Sequence, residues 1–439
     1  MVLHKIPVMK IHNSKAISAF GGINFVLEHL EDNRIGDLFN LHLPALALQS
    51  TYSWRDVIYS MLSIYLCGGD HIEDLQTHLK SHFSNNPFVG LPSSDTVLKR
   101  LKELSEDNQV CRTKRGTVDH SYNMNALLGK LNISLLKKLG AFSKGQITLD
   151  YDNTIIFNEK SDSKMTHKRN PGYQPGVCTL NEEQVLFLEN RNGNSDAKSF
   201  QADTFRRMFT LLKSNHVKQA DHFRADAASY QYDIIRLLEE EVSNFYIGCR
   251  NSYVEKYFSQ INEWENMTDS SNETMEVGEI GIIPFQKQAR ENKQQAKEYR
   301  LVVKRKPKEG GQLNLITQDA YEYRAILTNN SELSALEVAL FYNHRGNMEK
   351  QFDILKNDFG WNHMPFSKLS QNTVFLYITA ICRNLYYNII HHFSKIVKTL
   401  EPTFRLKKFL FRFIILPAKW IKRARQYQLR IFGKIDFST

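Results

Sequence analysis

The spacing of apolar and polar positions changes near residue 145 and divides the chain into two regimes. Upstream, apolar side chains recur at helical spacing. Residues 53–67 follow the helical period, and Gly68-Gly69 closes that segment. Residues 71–82 are a second helix candidate. Between Leu91 and Leu101, Ser93 or Ser94 can cap a helix. Its Val97, Leu98 and Leu101 share an apolar face, while Lys99, Arg100 and Lys102 lie outside it. Residues 1–140 are therefore expected to be mostly helical. A basic, capped helix after a helical pair is compatible with helix-turn-helix DNA binding through Lys99 and Arg100, and equally with an ordinary bundle.

Downstream the period shortens. Residues 146–157, QITLDYDNTIIF, alternate and are rich in β-branched side chains, which predicts a strand. Further strands are expected at 185–188, 222–226 and 245–249, with helices at 202–214 and 229–242. This order indicates an α/β core. Residues 251–320 break the alternation. Strands are expected at 280–285, 299–304 and 321–327, with turns at 268–274 and 305–312. We read this stretch as a β-rich insertion. Helical spacing returns from Leu333 to about Phe359.

Composition adds a partner class. The net charge of +10 suits a polyanion, because basic groups that neutralise phosphates release counterions; it also fits an ordinary basic protein. The bias is uneven. Residues 395–434 hold twelve Lys or Arg against Glu401, interleaved with Phe404, Phe409, Phe411, Phe413, Trp420, Tyr427 and Phe432. This basic tail, expected to be helical, suits contact with nucleic acid or with another subunit, and also fits an amphipathic tail packed on the core with its charges solvated. The cysteines, Cys67, Cys111, Cys178, Cys249 and Cys382, form no Cys-x-x-Cys pair, which argues against structural zinc and for a reducing compartment. The opening MVLHKIPVMKIHNSK lacks a signal-peptide apolar run, and no stretch reaches membrane-spanning length. A cytoplasmic protein with no membrane partner is expected.

Three acids stand where chemistry could be built. Cleaving a phosphodiester through two divalent metals needs a few convergent carboxylates on rigid elements. In the strand at 146–157, Thr148, Asp150 and Asp152 face one side. Two acids in mid-strand are costly without a role, and alternation alone does not choose between Asp150 and Asp152. Asp226 ends the next strand in His222-Phe223-Arg224-Ala225-Asp226, a usual ligand position in α/β sheets and also a usual helix cap. Glu349 lies on the helix that follows Phe341. At about 100° per residue, Tyr342, Arg345, Glu349 and Lys356 share a stripe roughly 60° wide. Met348, Phe352, Leu355 and Phe359 form the neighbouring, core-facing stripe. An Arg345–Glu349 pair on a solvated face would account for two of these four residues only.

The spacing Tyr342-x2-Arg345-x3-Glu349-x6-Lys356 resembles the tyrosine–arginine–glutamate–lysine signature of bacterial insertion-sequence transposases of the DDE type. In that family the first aspartate ends a strand shortly before Thr or Ser, as in Asp152-Asn153-Thr154, which favours Asp152 over Asp150. Gly172-Tyr173-Gln174-Pro175 and Arg191-Asn192-Gly193-Asn194 resemble the branch called insertion-sequence family 1380. The resemblance covers roughly residues 90–365. It implies an RNase H-like catalytic core at 141–250 and 321–365, with a β-rich insertion at 251–320. The first ninety residues and the basic tail carry no matching motif; from their own patterning, residues 1–140 are expected to be a helical DNA-binding region and residues 366–439 a basic helical C-terminal region.

The resemblance also implies Asp152, Asp226 and Glu349 as catalytic and metal-binding residues for two Mg2+ ions, with Mn2+ as a substitute. Tyr342, Arg345 and Lys356 would contact DNA. The partners implied are double-stranded DNA, as terminal inverted repeats and target, and a second copy of the chain on paired ends. The setting implied is a bacterial cytoplasm, in association with the nucleoid. Two other readings differ in class: a DNA-binding protein derived from a transposase that no longer cuts, and an RNase H-like nuclease without strand transfer.

Overall fold

The computed structural model describes residues 17–83, 86–112, 118–143, 145–268, 274–308 and 320–433. The chain opens with helices α1 (Ile23–Asp32), α2 (Ile35–His42), α3 (Trp54–Leu66) and α4 (Ser94–Glu103). Ser53 caps α3 reciprocally: its hydroxyl accepts from Asp56 N–H at 3.2 Å, and the Asp56 carboxylate accepts from Ser53 N–H at 2.9 Å. Between α3 and α4 the expected second helix shrinks to one π-type turn, Leu75–Leu79. Ser93 caps α4, and Val97 and Leu101 are buried as predicted.

A strand pair interrupts the region expected to be helical. Strands β1 (Gln109–Arg112) and β2 (Asp119–Asn123) pair antiparallel before helix α5 (Ala126–Lys138). Both strands are short, polar and partly exposed, so they leave little hydrophobic period to read.

The central region supplies β3 (Thr148–Asn153), β4 (Ile156–Phe157), β5 (Lys164–Met165), β6 (Pro171–Tyr173), β7 (Gly176–Leu180) and β8 (Gln184–Arg191). Helix α6 (Gln201–Ser214), β9 (Ala220–Ala225), α7 (Tyr232–Glu241) and β10 (Val242–Cys249) follow. Then come α8 (Asn251–Val254), β11 (Glu265–Thr268), β12 (Thr274–Ile282), α9 (Gln286–Glu291), β13 (Tyr299–Pro307) and β14 (Tyr321–Thr328). The turns expected at 268–274 and 305–312 fall partly outside the described residues.

Eleven strands form one mixed sheet in the order β1-β2-β8-β7-β3-β9-β10-β14-β13-β12-β11. At its centre β3 pairs parallel with β9 and antiparallel with β7, and β9 pairs parallel with β10. The strands within 251–320 extend this same sheet, because β14 pairs antiparallel with β10 from Tyr246↔Thr328 to Cys249↔Ala325 and carries β13 and β12. Strands β4, β6 and β5 make a small separate sheet. There Gly193 packs so closely on the Lys164 and Gly172 carbonyl oxygens that a side chain has no room.

The C-terminal third adds α10 (Ala335–Asn343), α11 (Asn347–Asn357), α12 (Leu369–Phe393), α13 (Leu406–Phe409), β15 (Ala418–Arg423) and β16 (Gln426–Ile431). Helix α12 is buried on nearly every side, against β8, α3, α4 and α5. Its Asn384 accepts from Val185 N–H at 2.9 Å and donates to Val185 C=O at 2.8 Å and to Asn132 Oδ1 at 2.9 Å. These bonds satisfy a buried amide and fix the helix on the sheet. No helix of the described residues is long and apolar enough to cross a membrane.

The C-terminal region is not helical throughout, which corrects the expectation. Phe404, Phe409 and Phe413 are buried in the core, and the antiparallel β15–β16 hairpin follows them. Its turn has φ +47° at Ala424 and +66° at Arg425, a conformation usually signalled by Asn-Gly. Without that signal, the basic residues masked the alternation.

Candidate functional site

Strands β3 and β9 run parallel with Tyr151 opposite Ala225, so Asp152 and Asp226 follow side by side at their carboxyl ends. This edge is where α/β sheets present ligand groups. Asp226 caps the short 3-10 turn Ala227–Ser229, with Oδ1 accepting from Ala228 N–H at 3.0 Å. The cap and ligand readings are therefore compatible, since the cap bond takes one oxygen. Asp152 Oδ1 accepts from Asn153 N–H at 2.8 Å, and Oδ2 accepts from Arg345 Nη1 at 3.1 Å.

The expected helix from Leu333 to Phe359 is two helices. Ser334 and Glu337 cap the start of α10 reciprocally. The 3-10 turn His344–Gly346 then joins α10 to α11. His, Gly and Asn are modest helix formers, and this junction concentrates them. Met348, Phe352 and Leu355 are buried on α11, and Phe359 is buried just past its end. The Tyr342 hydroxyl donates to Ala225 C=O at 3.1 Å, just before Asp226, and fills the space that a side chain at Gly248 would need. Lys356 Nζ donates to Ile155 C=O at 2.8 Å, three residues past Asp152. Glu349 is exposed in the first turn of α11.

Electrostatics tie these groups together. Burial pushes the Asp152 carboxyl up to about 6; Arg345 opposes the rise, and Asp226 and Glu349 add to it. Burial also works against the Arg345 charge, but Asp152, Tyr342, Asp226 and Glu349 outweigh it and raise its pKa. One guanidinium therefore feels all three acids and the tyrosine. Burial raises the Tyr342 phenol, Arg345 opposes this, and Asp226 reinforces it. Burial lowers the Lys356 ammonium, helped by Lys168.

Asp150 has a different setting. It is 1% exposed, and both its oxygens accept from Arg224, at 2.6 and 2.8 Å. The same guanidinium donates to Glu182 at 2.7 Å and to Phe341 C=O at 2.7 Å. Burial disfavours the Arg224 charge, but Asp150 and Glu182 outweigh it and raise its pKa. Asn347 also donates to Glu182, at 2.6 Å. This network joins β3, β9, the β7–β8 turn and the α10–α11 junction. Sequence reasoning missed Glu182 and gave Arg224 no role. The available signal was Arg224 itself, a charged residue in an otherwise buried strand.

Lys99 and Arg100 are not brought to this site. Arg100 pairs with Glu103 at 2.7 Å and donates to Ser50 Oγ at 3.0 Å, while Lys99 is exposed on α4. Among the described residues, the cluster of three potential metal ligands whose ligand-type atoms all lie within 4.8 Å of one another is Asp70, His71 and Asp74, rather than Asp152, Asp226 and Glu349. Its geometry follows from local bonds, because Asp74 Oδ2 accepts from Asp70 N–H at 3.0 Å and His71 N–H at 3.1 Å.

Among solved structures, the chain is similar to a piggyBac transposase in a synaptic complex with hairpin DNA. The identity is 11% and the TM-score 0.43, over 90% of this chain and 79% of that one. No curated protein matches the chain. The profile of the family described as transposase DDE domain group 1 matches residues 12–435, nearly the full length. The chain therefore belongs to the DDE transposase family, domain group 1.

Proposed function

We propose that this transposase cuts DNA at the ends of a mobile element and joins the freed ends to a target, using Asp152, Asp226 and Glu349 as one metal-binding set. The observation that carries the reading is the pairing of β3 with β9. It sets Asp152 beside Asp226, with Arg345 linking Asp152 to the helices that carry Tyr342 and Glu349. All three candidate ligands are carboxylates, and Asp152 is held at high pKa partly by the other two. Such a crowd of oxygen donors fits Mg2+, with Mn2+ as substitute. Two such ions would supply an activated water or 3′-hydroxyl and a stabilised leaving oxygen.

The chain's own residues supply binding and position. Arg345 is partly exposed and suited to grip a phosphate through two parallel N–H bonds. Lys356 offers a point charge on α11, seven residues beyond Glu349. Tyr342, braced between Ala225 C=O and Gly248, holds the start of the motif against Asp226. Asp150 is assigned to the Arg224 network rather than to the metals.

The tyrosine–arginine–glutamate–lysine signature and insertion-sequence family 1380 are the proposed branch. The order β8-β7-β3-β9-β10, with β7 the antiparallel member between β8 and β3, supports an RNase H-like core. Residues 251–320 are proposed as its insertion, and residues 1–140, with Lys99 and Arg100, as a DNA-contacting region. Residues 366–439 are proposed as the basic C-terminal region, and a homodimer on paired ends is the proposed assembly.

The test uses the purified full chain, Mg2+ and duplexes carrying the DNA that flanks its gene. Specific nicking is expected, with loss of at least a thousandfold in Asp152→Ala, Asp226→Ala and Glu349→Ala. Retained cutting by all three acid variants would sink the assignment.

A further inference from the structure

We infer that the outward face of the β15–β16 ribbon reads duplex DNA through its major groove. The choice of duplex DNA rests on the DNA-cutting function proposed above; the ribbon itself is described by its own geometry.

The register divides the hairpin into two faces. Ala418, Trp420 and Lys422 stand opposite Ile431, Leu429 and Tyr427 on one side. That side docks on the body: Trp420 Nε1 donates to Asn24 Oδ1 at 3.0 Å, and its ring meets Phe88 edge-on at 5.9 Å. The other side carries Lys419, Ile421 and Arg423 opposite Arg430, Gln428 and Gln426. Arg423, Gln426, Gln428 and Arg430 are exposed there.

This composition has a physical cost. Lys419 and Arg430 are direct cross-strand partners, and like charges so placed destabilise a ribbon. No acid occurs between Pro402 and Gly433 to offset them. The ion pairs of the preceding segment belong to Arg405, with Asp353 and Asp358. Among the described residues, Lys419, Arg423 and Arg430 make no ion pair. Cations held this way gain from a polyanion.

The shape is also suited to a groove. Two strands about 5 Å apart, with side chains, fit a major groove roughly 12 Å wide. Six residues at about 3.4 Å each span roughly 20 Å, or about six base pairs. The base of the ribbon is clamped, because Ser18 and Ala418 exchange backbone bonds at 2.8 and 2.9 Å and Phe432 N–H reaches Pro417 C=O at 2.8 Å. The free end can then enter a groove while its base stays fixed. The side chains presented are those that pair with base edges: Arg bidentate to guanine, Gln bidentate to adenine. A ribbon meant only for phosphates has no need of paired glutamines.

The test measures fluorescence anisotropy of the full chain, in EDTA, on two labelled duplexes: the DNA flanking its gene, and the same bases shuffled. Arg423→Ala/Arg430→Ala is expected to weaken both complexes by roughly tenfold or more and to flatten their salt dependence. Gln426→Ala/Gln428→Ala is expected to leave the shuffled duplex unchanged and to cut the preference for the flanking duplex by about tenfold. Asp152→Ala separates the two readings: in EDTA it should bind like wild type, and in a parallel assay with Mg2+ it should fail to nick. Wild-type dissociation constants for both ribbon variants on both duplexes would overturn the inference and leave the acid site standing. A change in oligomeric state with unaltered DNA affinity would also overturn it, by assigning the ribbon to a subunit contact.

Discussion

At the scale of single residues, Asp152 is held against its own preference. Its carboxyl, normally near 3.8, is raised to about 6 by burial, with Asp226 and Glu349 adding to the rise. Between those values the folded chain keeps a proton that the unfolded chain has released. Stability therefore falls as pH rises through that window, and the full cost is present above 6. In EDTA, Asp152→Asn is expected to stabilise the protein at pH 7.5 by up to about 3 kcal/mol. At pH 4, where the wild-type residue is largely protonated in the fold, the two proteins should be nearly equal. Urea unfolding at the two pH values checks this. A less stable Asp152→Asn at pH 7.5 would show that Arg345 more than compensates the burial.

This scale was also where the sequence was least decisive. Alternation put Asp150 and Asp152 on one strand face and stopped there. What separates them is Arg224, one strand away, which takes both Asp150 oxygens. A partner joined only through the fold leaves no mark in local periodicity.

At the scale of elements, Arg224 has the largest reach. It bonds Asp150 on β3, Glu182 at the β7–β8 turn and the Phe341 carbonyl on α10. Its loss would leave the buried Asp150 carboxylate without its cation and Glu182 with only Asn347 and His344. Arg224→Met is expected to cost about 3–5 kcal/mol, the range for breaking a buried pair by removing one partner. Arg224→Met/Asp150→Leu should recover a large part of that, because the stranded carboxylate is gone. Equilibrium urea denaturation measures both; equal losses in the single and double variants would rule out an uncompensated Asp150 charge as the cause.

Elements with strong periodicity were legible: α3, α4, α6, β3, β9 and β10 fall at or close to their expected positions. Others were not, for separable reasons. Strands β1 and β2 are short and polar. The hairpin β15–β16 turns through Ala424-Arg425, with no Asn or Gly to announce it. The break between α10 and α11 changes helix type without changing hand, so helical spacing continued across it unmarked.

At the scale of the molecule, one sheet carries almost everything. The strands expected as an insertion extend it beyond β10, and α12 seals the side formed by β8. Long-range placement of this kind is not in the local pattern: Asp152 and Asp226 are 74 residues apart, and Glu349 another 123 on. The shared helical stripe at Tyr342–Lys356 made their convergence worth expecting, and the parallel β3–β9 pair sets the first two side by side.

The proposed convergence can be mapped directly. Fe2+ bound in place of Mg2+ cuts the polypeptide nearby when treated with ascorbate and peroxide. Applied to the full chain, this reaction should cut near Asp152, Asp226 and Glu349 together, with excess Mg2+ suppressing all three cuts and Asp226→Ala weakening all three. Cuts confined to Asp70–Asp74, or cuts at the three acids that respond independently to Mg2+ and to Asp226→Ala, would contradict a single metal site.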